Sequence, residues 1–512
     1  MDKREQVFSV ATAGIFTAVT VWVLAVVLLT PPSRYDLTDK PYLMGNLPLL
    51  LLFIPIALLI FALGHRFQGR DLPFSPDILA RRFTLAALPL QFYWSLNYYF
   101  ATGWDVDNLT RCAGEYLAGS TGNTQWYLSL YPNNTLTFGF LLLCRRLEGW
   151  FGVIDTDRCL AVSILLCCCL CCLTGYLTYR NIKTFLGERW GLVGFAAFWG
   201  LVGLSPWVTI PYSDALGLVF PALLLHLYTL APQQPGKRLA KWVGIGFFAG
   251  LAYCIKPQSF LLFIAIVLAE LFYCKKETLR RSVLPALAAA LAMAAALAAP
   301  KAMLRIMHLN LDPEAKIGVA HFLMMGANPD TYGCYSTEDY AFSESFSTKS
   351  ERDSADLARY AQRMQDYGLG GYLGLLKTKI ACDYNDGTFG WAVEGDFWRG
   401  MQTPKNTLVS NLARSLYYDS GKHYDLWCTL AQFLWLGTLL CGAFSCLHNG
   451  KDSKLRVVQL TVSGLFLFEM LFETRARYLY TNVPLYIVLA VVGLREIYRL
   501  LSTRIAATNK RK

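Results

Sequence analysis

The chain has 512 residues, 54% of them hydrophobic and 14% aromatic, but only 16% charged. Soluble globular proteins carry closer to a quarter of their residues as charge, so this composition excludes a soluble fold. The net charge of +11 falls in short loops between apolar runs, a pattern of membrane topology and not of nucleic-acid binding.

Apolar segments fit to cross a ~30 Å hydrocarbon core run at 10–30, 47–64, 83–101, 158–179, 190–207, 214–230, 242–256, 258–273, 283–300, 425–446, 457–473 and 478–497. They predict an all-α polytopic bundle of twelve transmembrane helices. Met1-Asp2-Lys3-Arg4 precedes an apolar run with no small-residue cleavage site, so the first helix is expected to stay uncleaved. Cys167, Cys168, Cys169, Cys171 and Cys172 crowd one apolar run, where thiols serve as small apolar residues and not as a disulfide scaffold.

With twelve crossings the basic clusters all fall on one side. They are Lys3/Arg4, Arg66/Arg70/Arg81/Arg82, Arg180/Lys183/Arg189, Lys237/Arg238/Lys241, Lys275/Lys276/Arg280/Arg281, Lys451/Lys454/Arg456 and Lys510/Arg511/Lys512. By the positive-inside rule that side is the cytoplasm. A multi-pass protein of the plasma membrane follows, with both termini cytoplasmic and the active face outside. The agreement requires Thr135–Phe151, broken by Arg145, Arg146 and Glu148, to be a re-entrant or interfacial helix and not a span.

The outer face then receives the loop 102–134, the Pro211–Asp214 turn, Lys256-Pro257, the segment 301–424 and Glu473–Arg477. The 301–424 segment is too long for a plain connector and reads as a mostly helical lid. Four regions result: two extra helices (1–82), a catalytic membrane module (83–300), the lid (301–424), and the last helices with a basic tail (425–512).

Four motifs on that face carry chemistry. Asp105-Val106-Asp107 places two carboxylates at a helix mouth. They can ligate a divalent cation (Mg or Mn), or one can act as a general base. The plain alternative is that Asp107 or Asn108 caps a short helix. Asp214 follows Pro206 and Pro211, and taken alone reads best as a helix cap. Lys256 sits at a tight outer turn, free to snorkel or to meet an anionic headgroup. Glu473-Thr474-Arg475-Ala476-Arg477-Tyr478 brings two arginines to the start of the last helix, against the charge bias. Guanidinium forks and a helix N-terminus both suit phosphate there. Tyr131, Asp386, Trp391 and Glu394 are the polar and aromatic residues expected to line a bound substrate under the lid.

The order of these pieces resembles the GT-C superfamily of polytopic glycosyltransferases. It is similar to bacterial relatives of protein O-mannosyltransferases and aminoarabinose transferases. The matching pieces are Asp105, Tyr131-Pro132, the Thr135–Phe151 helix, Arg158, Ser205-Pro206 with Asp214, Gly250 with Lys256-Pro257, and Arg477-Tyr478 with Pro484. They span 83–300 and 457–497. The resemblance implies a GT-C-like bundle that moves a sugar from a polyprenyl-phosphate donor to a glycan, lipid or protein acceptor. It puts Asp105 at the catalytic-base position, Asp214 at the second acidic position, and Arg475 and Arg477 at the lipid phosphate. Val106 stands where many relatives have Glu, two helices precede the usual first one, and the lid sits before the third-last helix.

Two other readings compete. A polymerase or ligase using a lipid-diphosphate donor leans on external arginine and histidine, yet His308, His321 and His423 are all far in sequence from Asp105. A transporter or flippase places charges on broken helices at mid-membrane, often in internal repeats, and this sequence shows neither. The topology is testable: single cysteines at Ser345 and Ser453 should label from outside and inside respectively, and the reverse pattern would invert the active face.

Overall fold

The computed structural model describes residues 3–31, 42–66, 74–98, 104–150, 161–273, 276–391, 407–448 and 453–509. Among them every regular element is a helix. In chain order these are α1 (Lys3–Leu29), α2 (Asn46–Arg66), α3 (Pro76–Tyr98), α4 (Asp105–Leu117), α5 (Gly122–Leu130) and α6 (Thr135–Trp150). There follow α7 (Ala161–Leu186), α8 (Glu188–Phe198), α9 (Ser213–Gly217), α10 (Val219–Thr229), α11 (Pro235–Ile255), α12 (Leu261–Tyr273) and α13 (Lys276–Ile306). The remainder are α14 (Val319–Gly326), α15 (Thr337–Glu344), α16 (Lys349–Tyr384), α17 (Leu408–Tyr417), α18 (Tyr424–Ala443), α19 (Ser453–Leu471), α20 (Arg477–Tyr480) and α21 (Val483–Asn509).

A helix lies on each of the twelve apolar segments. Five among the described residues have the length and hydropathy to cross a membrane: α1, α7, α11, Ser282–Ile306 of α13, and Tyr424–Leu447. Pro55, Pro89, Pro285 and Pro300 lie inside helices, which transmembrane helices tolerate because neighbouring groups satisfy the freed carbonyls. Thr135–Trp150 is helical, with Arg145 and Glu148 buried.

The centre of the bundle is α7. It packs on α3, α8, α10 and α21, and Cys167, Cys168, Cys171 and Cys172 are buried in it as free thiols. Small residues set the closest helix approaches, as expected where packing alone holds helices together. Along α11 and α13, a Cβ on Gly246 would lie 2.0 Å from the Ala289 carbonyl oxygen, and one on Gly250 2.7 Å from the Ala296 Cβ. A Cβ on Gly493 of α21 would come closer still, 1.8 Å from the Cys441 carbonyl oxygen of α18.

The 301–424 boundary is not where the structure changes. α13 runs on to Ile306, and the regular elements described from there to residue 424 are helices. α16 turns at Gly368, whose φ of 54° glycine adopts without steric cost. Past that turn it enters the bundle, so that Leu375, Leu376 and Lys379–Tyr384 are buried against α1 and α19. One end of the segment is therefore core.

Substituting Gly246 tests the close approach. Overpacking a filled contact costs about 1–3 kcal/mol, and here the obstacle is backbone. Gly246→Leu should lower the melting temperature of the purified protein well beyond Gly244→Leu, whose Cβ would be 3.5 Å from its nearest neighbour.

Candidate functional site

α4 begins at Asp105, with Trp104 as its N-cap and no side-chain cap. An acid in the first turn complements the exposed N–H groups there, so a carboxylate at this position is locally favoured. Its two oxygens are held by different elements. Tyr127 of α5 donates to Oδ1 at 2.8 Å, and Tyr212, from the turn before α9, donates to Oδ2 at 2.9 Å. The Asn134 amide donates to the Tyr127 hydroxyl at 3.0 Å. Burial first, and the Asp105 charge second, push both phenols above their ordinary pKa, so they stay protonated and act as donors.

Tyr212 reaches this position because its turn is anchored from below. Ser205 caps the Pro206–Thr209 turn, and the Trp207 indole donates to the Thr388 and Phe389 carbonyls at 3.2 and 3.0 Å. The Tyr212 ring meets Trp104 edge-on, with centroids 5.4 Å apart. Over the same indole lies Arg477, its guanidinium carbon 4.5 Å from the Trp104 centroid, 5.6 Å from Tyr478 and 6.0 Å from Tyr212.

On the other side of Tyr478 stands Lys256, with Nζ 4.6 Å from the ring centroid. It donates to Asp214 Oδ1 at 2.5 Å, and the two side chains are 6% and 3% exposed. Gly217 makes room: a Cβ there would be 3.1 Å from Lys256 Cβ. A continuous array thus runs Asp105, Tyr212, Trp104, Arg477, Tyr478, Lys256, Asp214.

Several expectations change. Asp214 does not cap a helix but forms the buried ion pair. Lys256 neither snorkels nor faces solvent. Neither Asp107 nor Asn108 caps α4, since the helix already begins two residues earlier, and Asn108 instead accepts from Arg111 at 3.0 Å. Asp105 and Asp107, two apart on a helix, do not face each other. No group of three or more His, Cys, Asp or Glu suited to a metal occurs among the described residues, and Asp105 already accepts two phenols. This donor set does not fit a shared divalent cation.

The two arginines also separate. Arg475 precedes and Arg477 opens a four-residue helix, and α21 begins only at Val483, so no long helix dipole assists them. Arg475 pairs with Glu473, Nε to Oε1 at 3.0 Å, and lies 5.9 Å from the Tyr335 ring. Asp386 is spent locally, accepting from Tyr42, Thr388 and the Gly390 amide at 2.6–3.1 Å. Trp391 is fully buried and donates to the Tyr417 carbonyl at 2.8 Å. Both are buried in the core. Glu394 and Arg158 lie outside the described residues. Tyr131 packs 5.4 Å from Tyr127 and pairs its hydroxyl with Tyr340, at the edge of the array.

Sequence reasoning missed Tyr127, Asn134 and Tyr212 as holders of Asp105. Tyr127 lies one helical turn before Tyr131, and Tyr212 lies beside Asp214, so the available signal was polar aromatics next to residues already singled out.

Removing one partner of a buried ion pair costs about 3–5 kcal/mol, while replacing both by apolar groups costs far less. Lys256→Met should therefore depress the melting temperature strongly, and Lys256→Met with Asp214→Leu should recover much of the loss. Equal loss in both variants would show that the pair is not the source.

Among solved structures the chain is similar to ArnT from Cupriavidus metallidurans, determined bound to undecaprenyl phosphate. Identity is 12% over 81% of this chain and 77% of that one, with a TM-score of 0.33, a likeness too distant to place any residue above. No curated protein matches. A family model matches residues 43–497, nearly the whole described bundle, and the chain belongs to that family, described as conserved hypothetical integral membrane protein.

Proposed function

We propose that this protein is a membrane glycosyltransferase that moves a sugar from a polyprenyl-phosphate donor to an acceptor hydroxyl on the outer face. The observation that carries the reading is Asp105, a carboxylate fixed by two phenols in one aromatic array with the Arg477 guanidinium. A base and an anion binder are thereby set side by side at the mouths of apolar helices, where a lipid-linked phosphate would present its sugar.

In the proposed step the acceptor oxygen attacks the anomeric carbon as the bond from that carbon to the phosphate oxygen breaks. The acceptor proton passes to Asp105, which still has lone pairs beyond the two that the phenols occupy. The electron pair leaves on the phosphate, and the charge that develops there meets Arg477. Aromatic faces suit a guanidinium for this, because they leave its edge to bind phosphate bidentately. Lys256 has its charge matched by Asp214 and acts by holding Tyr478, and through it Arg477. Arg475, committed to Glu473, has a lesser part. The sugar and the acceptor class are not set by these residues.

The test is a purified-protein assay with a polyprenyl-phosphate sugar, scoring released polyprenyl phosphate and donor binding side by side. General-base catalysis contributes ~10²–10⁴-fold, so Asp105→Asn should lose at least about a hundredfold in turnover with donor affinity nearly constant. Arg477→Ala should weaken donor binding roughly ten- to a hundredfold, the loss of one charge-assisted contact, and Arg475→Ala less. If Asp107→Asn is inactive while Asp105→Asn turns over, the base is misassigned. If neither matters, this is not the catalytic site.

A further inference from the structure

Lys379, fully buried in the last turns of α16, donates to the carbonyls of Gly326, Met470 and Phe472 at 2.9, 2.9 and 2.7 Å. Three donated bonds use all three protons of an ammonium, and a neutral amine has only two. Lys379 is therefore charged at neutral pH, although burial lowers its pKa to about 8, and its protons are spent on backbone that joins α14, α16 and the end of α19.

One turn further on, Asp383 is fully buried, and so is Glu469, the neighbour of Met470 on α19. None of their four carboxylate oxygens meets a hydrogen-bond donor among the described residues. Both acids feel the Lys379 charge, and Glu469 also feels Asp383, Lys256 and Glu473. The last two are already neutralised, Lys256 by Asp214 and Glu473 by Arg475. The other titratable groups facing the site are the Cys334 and Cys382 thiols beside Lys379, and Tyr384 and Tyr486, whose hydroxyls bond each other at 3.1 Å.

Two buried negative charges against one positive leave the site one charge short, and uncompensated buried charge is among the costliest features a fold can hold. A divalent cation would overshoot by one, and calcium, for example, takes six or more oxygens, whereas the nearest carbonyls are already taken by Lys379. A proton closes the balance with nothing added.

We propose that Asp383 and Glu469 hold one proton between them in the native protein, and that this proton is part of the joint fastening α16 to α19. The inference does not rest on the transfer reaction. Burial raises the Asp383 carboxyl well above its usual range. The stability from such a group is fully present below its unfolded value of ~4 and is lost as pH rises through the folded value. Alkaline pH should therefore loosen this joint.

The experiment uses the full chain in lipid nanodiscs. At neutral pH, infrared difference spectra should show a protonated-carboxyl stretch in the wild type that is absent in both Asp383→Asn and Glu469→Gln. Each single amide leaves one carboxylate opposite Lys379, balanced without a proton. For the same reason, the fall in melting temperature on raising the pH should be flatter in either variant than in the wild type. A wild type without the stretch overturns the proposal, as does a stretch that survives in both variants. So does a melting temperature that sodium, magnesium or calcium raises in the wild type alone, which would make the occupant a metal ion.

Discussion

The site around Asp105, Arg477 and Lys256 is governed by the cost of placing charge among apolar helices. Lys256 and Asp214 are the clearest case, because neither has enough access to water to be stable without the other. Such a pair seldom adds net stability over an apolar replacement, but breaking it is expensive. Its effect is therefore to fix geometry. The α11–α12 turn, the α9 turn and Tyr478 are tied to one arrangement, and Tyr478 in turn bounds Arg477.

The same constraint sorts the other charges. Arg475 neutralises Glu473, and Lys379 is given wholly to backbone carbonyls. Asp105 is satisfied by neutral phenols instead of a cation. That last choice matters for chemistry. Two neutral phenols hold the Asp105 carboxylate in one orientation and leave its remaining lone pairs open.

Much of this was legible in the sequence. The apolar segments placed the long helices because period and length are set by the bilayer, and the charges at Asp105, Lys256 and Arg477, at the ends of apolar segments, marked the array. What could not be read were partners distant in the chain. The Asp214–Lys256 bond spans 42 residues and Tyr212–Asp105 spans 107, and local reasoning could offer each acid only a local role as a cap or a cation ligand. The burial of Asp386 and Trp391 was not legible for the opposite reason. A polar, aromatic, glycine-containing run resembles a binding loop, but packed beneath α17 and α18 its polar atoms are consumed by its own turn and neighbours.

The two halves of the array reach their positions by different routes. Asp105 is carried by α4 and held from α5 and the Tyr212 turn, all within the first half of the chain. The backbone leading to Arg477 is held from the 301–424 segment. Lys379 grips the Phe472 carbonyl at 2.7 Å, and the Thr474 amide donates to the Gly333 carbonyl at 2.8 Å. Gly326 approaches so closely that a Cβ would sit 2.6 Å from the Leu471 carbonyl oxygen. Gly333, with φ of 80°, turns the chain as only glycine does freely. The distance between the Asp105 carboxylate and the Arg477 guanidinium therefore depends in part on how the helices of that segment seat on the end of α19. A shift of α14 and α16 would reach Arg477 through Phe472 and Thr474, and the Tyr212 turn through the Trp207 bonds to Thr388 and Phe389, so the segment belongs to the site mechanically.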